Sequence, residues 1–381
     1  MIISPVAIAL IVSLVIISAV IIFLPVLQRI LDISKYIYCN AKIRAIEAGL
    51  LNKDKYKELL DAKEEMECIN SLEDTDYGSY LTKVEDPITS EKVESALNTH
   101  LKEIYGKIIR TVPDSDKKIF QQFLKFWDVK NIKSILRGTW IGLPPAELKN
   151  YIVPVGTLKE SVLNTLVESN TMEEAVSELE STEYGKIISE TFQDAKEQNT
   201  LLPVEAALDK YVLRKAYDTA SLAEQAHLKP VKILIGVKAE MSNLKTIIKA
   251  VSEEVVRETV EQYLIDINLY LSEESLKNAL RSETMDEVAS ALEGTPYAEV
   301  ISESLPEYRE TNSTFVLENA LDELYSKIAT DLSLRYPLGA GPTVRLIVDK
   351  EKDIKQIGAV LKYKIGKVRK TEDLSKIVGT K

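Results

Sequence analysis

The sequence predicts an all-α protein made of three tandem homologous helical units, preceded by an N-terminal transmembrane helix. Three observations support this fold class. The first 28 residues contain no charged side chain. The remaining chain is rich in Glu, Lys, Leu, Ile and Ala, which form helices readily or fill hydrophobic cores. Only 14 glycines and 13 prolines occur in 381 residues, so long helices should outnumber loops and sheets.

The N-terminal segment is the first predicted element. Residues 2–27, bounded by Ile2 and Leu27, are apolar apart from three serines, and their number suits the hydrocarbon core of a bilayer. A secretory signal peptide is the alternative, but it requires a basic start and a shorter apolar stretch. Residues 1–34 are therefore predicted to be a membrane anchor and link, with lipid as a partner. The basic residues that follow place the body on the cytoplasmic side of the cell membrane: Arg29, Lys35, Lys42 and Arg44.

A first signature occurs three times, as ungapped stretches of equal length at residues 50–77, 157–184 and 270–297. The copies share a leucine near the start, a leucine near the end and a closing tyrosine. The second and third copies also share a Thr-Met-acidic-Glu sequence. The matched residues are Leu51, Leu158 and Leu271; Leu72, Leu179 and Leu292; and Tyr77, Tyr184 and Tyr297.

Two further signatures follow each copy in the same order. The second contains the pairs Ala96-Leu97, Ala207-Leu208 and Ala320-Leu321. The third begins at Asn131, Asn243 and Asp353. Its apolar residues recur at i, i+3, i+4 in the first two copies, and Ile354, Ile357 and Leu361 continue the pattern of one helix face in the third. The period is about 110 residues, which indicates internal repeats. The predicted domains are residues 35–150, 151–262 and 263–381.

Prolines mark the predicted chain breaks, and strand signals are nearly absent. Residues 343–348 (TVRLIV) are one short exception to the helical pattern. Three homologous units suggest a closed pseudo-threefold arrangement, in which each unit covers the apolar face of the next. An open solenoid is the alternative. The breaks are expected near Pro113, Pro144, Pro145, Pro203, Pro230, Pro306 and Pro337.

The chemistry of an enzyme is missing from the pattern. His100 and His227 lie in unrelated contexts, without the spacing of a metal site. No phosphate-binding glycine loop or serine nucleophile motif occurs, and residues 338–342 (LGAGP) read as a structural turn. The net charge of −11 argues against general nucleic-acid binding. Cys39 and Cys68 form no disulfide framework. We therefore predict a non-catalytic protein without metal, cofactor or small-molecule substrate.

Two basic features are candidate interfaces. Lys133, Lys245 and Lys355 each follow the first apolar residue of the third signature, so they are either solvated or a threefold ring of positive charge. The C-terminal stretch 355–370 carries six basic residues and no acid, so it is either a solvated helix end or a contact with lipid head groups or an acidic partner. Its candidate interface residues are Lys355, Lys362, Lys364, Lys367 and Arg369.

The repeated pattern resembles the C subunits of archaeal A-type ATP synthases, the counterparts of the d subunits of vacuolar-type ATPases. The resemblance covers about residues 35–370. It rests on residues 43–51 (IRAIEAGLL) leading into 56–60 (YKELL), on 126–133 (FWDVKNIK), on 238–245 (KAEMSNLK) and on 350–355 (KEKDIK). Each motif is weakly specific alone, and their threefold recurrence is more specific.

The resemblance implies a helical funnel with pseudo-threefold symmetry on the cytoplasmic face of the proteolipid ring. The funnel receives the end of the central stalk and passes torque between ring and stalk during ion-driven ATP synthesis. An N-terminal anchor departs from the usual family pattern, and it either threads the ring lumen or serves assembly and is then cleaved. The alternative functions are a membrane-anchored helical adaptor without a role in rotation and an enzyme of unrecognised site.

Overall fold

The computed structural model describes residues 5–223, 225–253 and 260–366, and these residues form helices joined by turns and loops. No strand occurs within these ranges, so the all-α prediction is confirmed. Residues 343–348 lie inside the last helix. The first group of helices is α1 (Pro5–Glu47), α2 (Lys53–Asp61), α3 (Glu65–Ser71), α4 (Gly78–Leu81), α5 (Ser90–Thr111) and α6 (Lys117–Trp140).

The second and third groups repeat this succession of short helices followed by long ones. The second is α7 (Pro145–Leu148), a 3₁₀ turn (Lys149–Tyr151), α8 (Glu160–Val167), α9 (Met172–Leu179), α10 (Gly185–Gln198), α11 (Leu202–Leu222), a 3₁₀ turn (Ala226–Leu228) and α12 (Lys229–Ser252). The third is α13 (Glu273–Arg281), α14 (Met285–Ala291), α15 (Pro296–Thr311), α16 (Thr314–Arg335) and α17 (Gly341–Gly366).

The shared Thr-Met-acidic-Glu sequence starts a helix. The Thr171 hydroxyl accepts a hydrogen bond from the backbone N–H of Glu174 (3.2 Å), and the Glu174 carboxylate accepts one from the N–H of Asn170 (2.8 Å). Thr284 and Glu287 form the same reciprocal pair at the start of α14. This reciprocal arrangement is a capping box, and it gives hydrogen-bond partners to backbone N–H groups that have none within the helix. The repeated sequence is therefore a local start signal for α9 and α14.

Most of the proline breaks lie where predicted. Pro203 and Pro230 occupy the first turns of α11 and α12, where a missing N–H costs nothing. The expected break at Pro306 is wrong, because this proline lies inside α15. Pro306 is exposed, and so is Ser302. Because proline has no N–H, the backbone carbonyl of Ser302 lacks its usual hydrogen-bond donor in the helix. Water can hydrate that carbonyl, which lets the helix continue through the proline.

Three hydrophobic clusters form the core, and the smallest joins distant parts of the chain. That cluster combines buried residues of α2–α5 with Ile357, Val360 and Leu361 of α17. Burying three aliphatic side chains of this kind contributes about 1.5–3 kcal/mol each. The last long helix of the third repeat therefore completes the core of the first repeat.

Helix α1 changes character along its length. Tyr36, Cys39 and Ile43 are buried in the core, whereas Leu27 is 53% exposed and the apolar residues from Val12 to Leu24 are exposed too. Within the ranges that the structure describes, no helix has the length and apolarity needed to cross a membrane.

The transmembrane helix predicted for residues 2–27 is therefore not found in the described part of the chain, and Ile2 lies outside it. Residues 12–24 are the longest part of that run whose side chains the structure describes. At the helical rise they span roughly 20 Å, which is less than the roughly 30 Å of a hydrocarbon core.

Candidate functional site

We call α6, α12 and α17 the inner helices. In each of them a buried carboxylate binds the segment of short helices that packs against it. Asp128 of α6 is fully buried and accepts hydrogen bonds from the backbone N–H of Leu158 (2.9 Å) and the hydroxyl of Tyr184 (3.2 Å). Glu240 of α12 accepts the equivalent bonds from Leu271 (2.8 Å) and Tyr297 (2.7 Å). We call each such arrangement a carboxylate clamp.

The third clamp joins the two ends of the repeat array. Asp353 of α17 accepts hydrogen bonds from the N–H of Leu51 (3.0 Å) and the hydroxyl of Tyr77 (2.8 Å). Burial raises the pKa of Asp353, while these donors oppose the rise. Burial and the neighbouring carboxylates raise the pKa of the tyrosines above the usual range. The matched leucines and tyrosines of the first signature are thus the donors of three equivalent clamps.

The clamps correct the sequence alignment of the third signature. The sequence pattern aligns Asp353 with Asn131 and Asn243, but its contacts make it the counterpart of Asp128 and Glu240. A shift of three residues turns a helix to within about 60° of the same face, so helical periodicity alone could not separate the two registers. In the corrected register the fully buried residues also match: Ile132, Ile135 and Leu136; Leu244, Ile247 and Ile248; and Ile357, Val360 and Leu361.

Asn131 and Asn243 have their own repeated role. Each side-chain amide donates to a backbone carbonyl and accepts from the N–H of the same residue, which is Val153 for Asn131 (2.8 and 2.9 Å) and Ile265 for Asn243 (2.8 and 2.8 Å). Both asparagines are buried. They hold the segments that precede α8 and α13. The corresponding residue of α17 is Gln356, another buried amide.

Lys350 is an unusual buried cation beside the third clamp. It is 1% exposed, donates to the carbonyl of Gly49 (3.1 Å) and lies 3.6 Å from the Asp76 carboxylate. Burial lowers the pKa of Lys350. Lys125 of α6 makes the matching ion pair with Glu183, which also precedes a closing tyrosine. In the corrected register Lys350 and Lys125 occupy equivalent positions, and so do their partners Asp76 and Glu183.

The three lysines expected to be either solvated or a threefold ring are not at equivalent positions. Lys133 pairs with Asp209 (2.6 Å) and Lys245 pairs with Asp322 (2.5 Å), which is one interaction repeated. Lys355 also pairs with Asp322 (3.1 Å). In the corrected register Gly358 corresponds to Lys133 and Lys245. The structure thus brings Lys245 and Lys355 together and leaves Lys133 with a separate partner.

The basic C-terminal candidates divide in two. Lys362 pairs with Glu94, and Lys364 donates to the backbone carbonyls of Leu60 (2.8 Å) and Ala62. Both therefore bind α17 to the first repeat. Lys367 and Arg369 lie outside the described residues.

Among the residues that the structure describes, two cavities between the inner helices share part of their lining. One of about 450 Å³ lies between α6, α11, α12 and α17, and one of about 180 Å³ lies between α12, α16 and α17. Lys238 and Glu351 line both. The larger cavity also receives Phe126, so one residue from the same position of each inner helix faces it. We call it the central cavity.

Sequence reasoning missed the clamp carboxylates and two lysines of the central cavity, Lys130 and Lys238. The signal for the clamps was present, because Asp128, Glu240 and Asp353 each precede the first buried residue of a stripe by one helical turn. The signal for the lysines was weaker, since only packing shows which basic residues face a cavity.

Comparisons with known proteins agree with one another. Residues 39–372 match the family model described as ATP synthase (C/AC39) subunit. A protein of Methanocaldococcus jannaschii, named as the C subunit of an A-type ATP synthase, is 35% identical over 355 residues, which cover 92% of this chain and 88% of the relative. Proteins with the same name from Methanothermobacter thermautotrophicus (31%, covering 90% and 88%) and Pyrococcus abyssi (28%, covering 92% and 92%) are also similar.

Proposed function

Since the chain belongs to the ATP synthase (C/AC39) subunit family, we propose that it is the C subunit of an A-type ATP synthase and couples the proteolipid ring to the central stalk. In this role it is non-catalytic and passes torque during ion-driven ATP synthesis. Its body lies on the cytoplasmic side of the cell membrane. The relatives' names supply the complex, and the coupling role is our proposal.

The central cavity is the observation that carries the proposal. It is lined by Phe126, Lys238 and Glu351, which occupy the same position in α6, α12 and α17. Residues from equivalent positions converge when repeats are arranged around a common axis. The contact of α17 with the first repeat supports the same arrangement, since it closes the array. A pseudo-threefold funnel of this kind offers a socket in which a coaxial stalk can be held on all sides.

Binding experiments with the purified components test the coupling role. The full chain is mixed separately with the proteolipid ring in detergent and with the central-stalk proteins of the same ATP synthase, and each mixture is analysed by size-exclusion chromatography. We expect a stable complex with each, and a bridged complex when all three are present. A chain that binds neither component contradicts rotor coupling and favours a helical adaptor outside the rotor.

We further propose that the exposed part of α1 is where this protein meets the membrane sector. Its support is a series of exposed apolar side chains that includes Val12, Phe23, Leu27 and Leu31. A helix on the rotor but outside the ring would strike stationary parts of the complex at each turn. The proposed place of this segment is therefore the lumen of the ring, where its neighbours rotate with it.

A map of the intact complex and mass spectrometry of the mature protein test this placement. Density for residues 5–31 within the ring is the expected result. Density outside the ring contradicts the placement, and a mature chain that begins after Leu27 assigns the segment to assembly only.

A further inference from the structure

The cations that line the inner helices are mostly neutralised by the neighbouring helices. Lys133 pairs with Asp209, and Arg137 forms a bidentate pair with Glu205 (2.5 and 2.6 Å). Acids of α16 neutralise cations of α12 and α17 in the same way: Lys245, Lys249 and Lys352 pair with Asp322, Glu318 and Glu323, respectively. A paired cation has little to offer a ligand, because binding must first replace its partner.

Lys130 and Lys238 are exceptions. Within the described ranges neither forms an ion pair at 4.0 Å or less. The Lys130 ammonium lies over the ring of Trp127, 4.4 Å from its centroid, and the Lys238 ammonium lies between the rings of Phe126 (5.2 Å) and Tyr325 (5.6 Å). Such contacts hold a cation in place without neutralising its charge.

Both lysines line the central cavity. Burial lowers the pKa of Lys130, and the positive charge of Lys238 contributes to the decrease. The side chain of Lys130 is nevertheless exposed, because the central cavity that it lines is open to solvent. The carboxylate of Glu351 attracts Lys130, but its own hydrogen bond comes from the hydroxyl of Tyr105.

The central cavity carries a positive excess in an acidic protein. Four cationic and two acidic side chains line it, against a net charge of −11 for the chain. Val129, Val212 and Leu213 contribute apolar surface beside the charges. An inner surface of this composition complements a segment that carries both carboxylates and apolar side chains, rather than a small hydrated anion.

We propose that Lys130 and Lys238 form a docking pair for the carboxylates of an acidic partner segment that enters the central cavity. This inference rests on the proposed coupling role and identifies the segment as the acidic tip of the central stalk. The anion-accepting groups are then these two lysines rather than Lys133, Lys245 and Lys355. The aromatic rings position the ammonium groups before the partner arrives, which favours fast association and fixes its orientation.

A charge-neutral double variant tests the docking pair. The full-length protein with K130Q and K238Q is compared with wild type for binding to the purified central-stalk proteins at low and moderate salt. We expect the dissociation constant to rise at least about tenfold and to lose most of its salt dependence. The charge-retaining variant K130R/K238R should keep binding within about threefold, because a guanidinium carries the same charge and also lies favourably over aromatic rings.

The matched control removes the same charge elsewhere. Lys57 and Lys186 are 62% and 85% exposed and take part only in weak pairs within their own helices. The variant K57Q/K186Q should bind like wild type. Equal affinity of K130Q/K238Q and wild type overturns the docking pair while leaving the coupling role intact. If wild type fails to bind the stalk, the coupling role fails, and the docking pair fails with it.

Two further measurements address folding and ligand size. Thermal unfolding of K130Q/K238Q should match that of wild type, because among the described residues neither lysine forms an ion pair at 4.0 Å or less. Calorimetry with inorganic phosphate checks the alternative of a small anion. Tight binding of phosphate that abolishes stalk binding overturns the assignment to an acidic segment, and absence of phosphate binding supports it.

Discussion

At the scale of single residues, the closing tyrosines do more than mark the repeats. Tyr77, Tyr184 and Tyr297 are fully buried, and each donates its hydroxyl to a clamp carboxylate. A buried carboxylate that loses a hydrogen-bond donor still carries the cost of its desolvation. The tyrosine hydroxyl therefore contributes to stability in addition to the packing of the aromatic ring.

Replacing one of these hydroxyls should lower stability. We expect Y297F to lower the free energy of unfolding by about 1–3 kcal/mol, because Glu240 keeps its backbone donors but loses a buried partner. Chemical denaturation measures the change. The control Y263F removes a hydroxyl at a more exposed site and should change stability by less than about 0.5 kcal/mol. Equal effects of the two variants contradict the clamp.

Asp322 provides a residue-scale prediction about acid. Burial alone raises the pKa of this carboxyl, but the ammonium groups of Lys245 and Lys355 outweigh burial and lower the pKa below its ordinary value of 3.8. Because the folded pKa is depressed, the stabilisation is present above the unfolded value and is lost as pH falls through the folded value.

The variant D322N should therefore be less stable than wild type at neutral pH. The difference should shrink as pH falls below about 3.8. Denaturant unfolding at a series of pH values measures it, with D331N as a control carboxylate on the same helix. A difference that stays constant from neutral pH to the acid limit contradicts the predicted linkage.

At the scale of elements, α1 consists of two parts with different surroundings. Among its described side chains, the buried ones are Tyr36, Cys39, Asn40 and Ile43, which follow residue 34, and the exposed apolar ones mostly precede it. The hydrogen bonds of Asn40 to the carbonyls of Pro337 (2.9 Å) and Gly339 (3.1 Å) fix the second part to the turn before α17. The first part contributes little to the core.

A chain that starts at residue 35 should fold and stay soluble. The truncation keeps the buried residues among the described side chains of α1, so we expect cooperative thermal unfolding near the midpoint of the full chain. Flotation with lipid vesicles should show that the full chain binds and that the truncated chain does not. A truncated protein without a cooperative transition contradicts the separation of α1 into two parts.

At the scale of the whole molecule, non-covalent contacts join the last helix of the third repeat to the first repeat. The first and second inner helices contact short helices that follow them in sequence, but α17 contacts residues that precede it by about 300 positions, as in the bond from Leu51 to Asp353. Closing a loop of this length carries an entropic cost that grows slowly with length. The contact region of α17 with α2–α5 is therefore a distinct seam.

Weakening the seam should loosen one region only. The variant L361A removes a fully buried side chain from the smallest core cluster and should cost about 2–5 kcal/mol locally. Hydrogen exchange should accelerate in residues 53–111 and 341–366 and remain unchanged in α10 and α11. The matched control L208A should instead accelerate exchange in the second repeat. Uniform acceleration in both variants contradicts a separate seam.

The sequence by itself determined the helices, the three repeats and the family. Local rules were sufficient for these, since the Thr171 start signal, the prolines at helix starts and the apolar stripes depend on near neighbours along the chain. The matched leucines and tyrosines of the first signature are recognisable from the sequence without their partners. The errors were also local in origin, because a three-residue shift in α17 preserves the helical pattern almost unchanged.

Tertiary structure alone decided which side chains meet. Asp322 binds Lys245 and Lys355, Asp353 binds Leu51 and Tyr77, and Lys130 and Lys238 remain without an acid among the described residues. These outcomes depend on how helices far apart in the chain approach and rotate against each other. Side-chain spacing along one helix defines its faces, but the choice of partner for each face comes from packing the complete set of helices around a shared core.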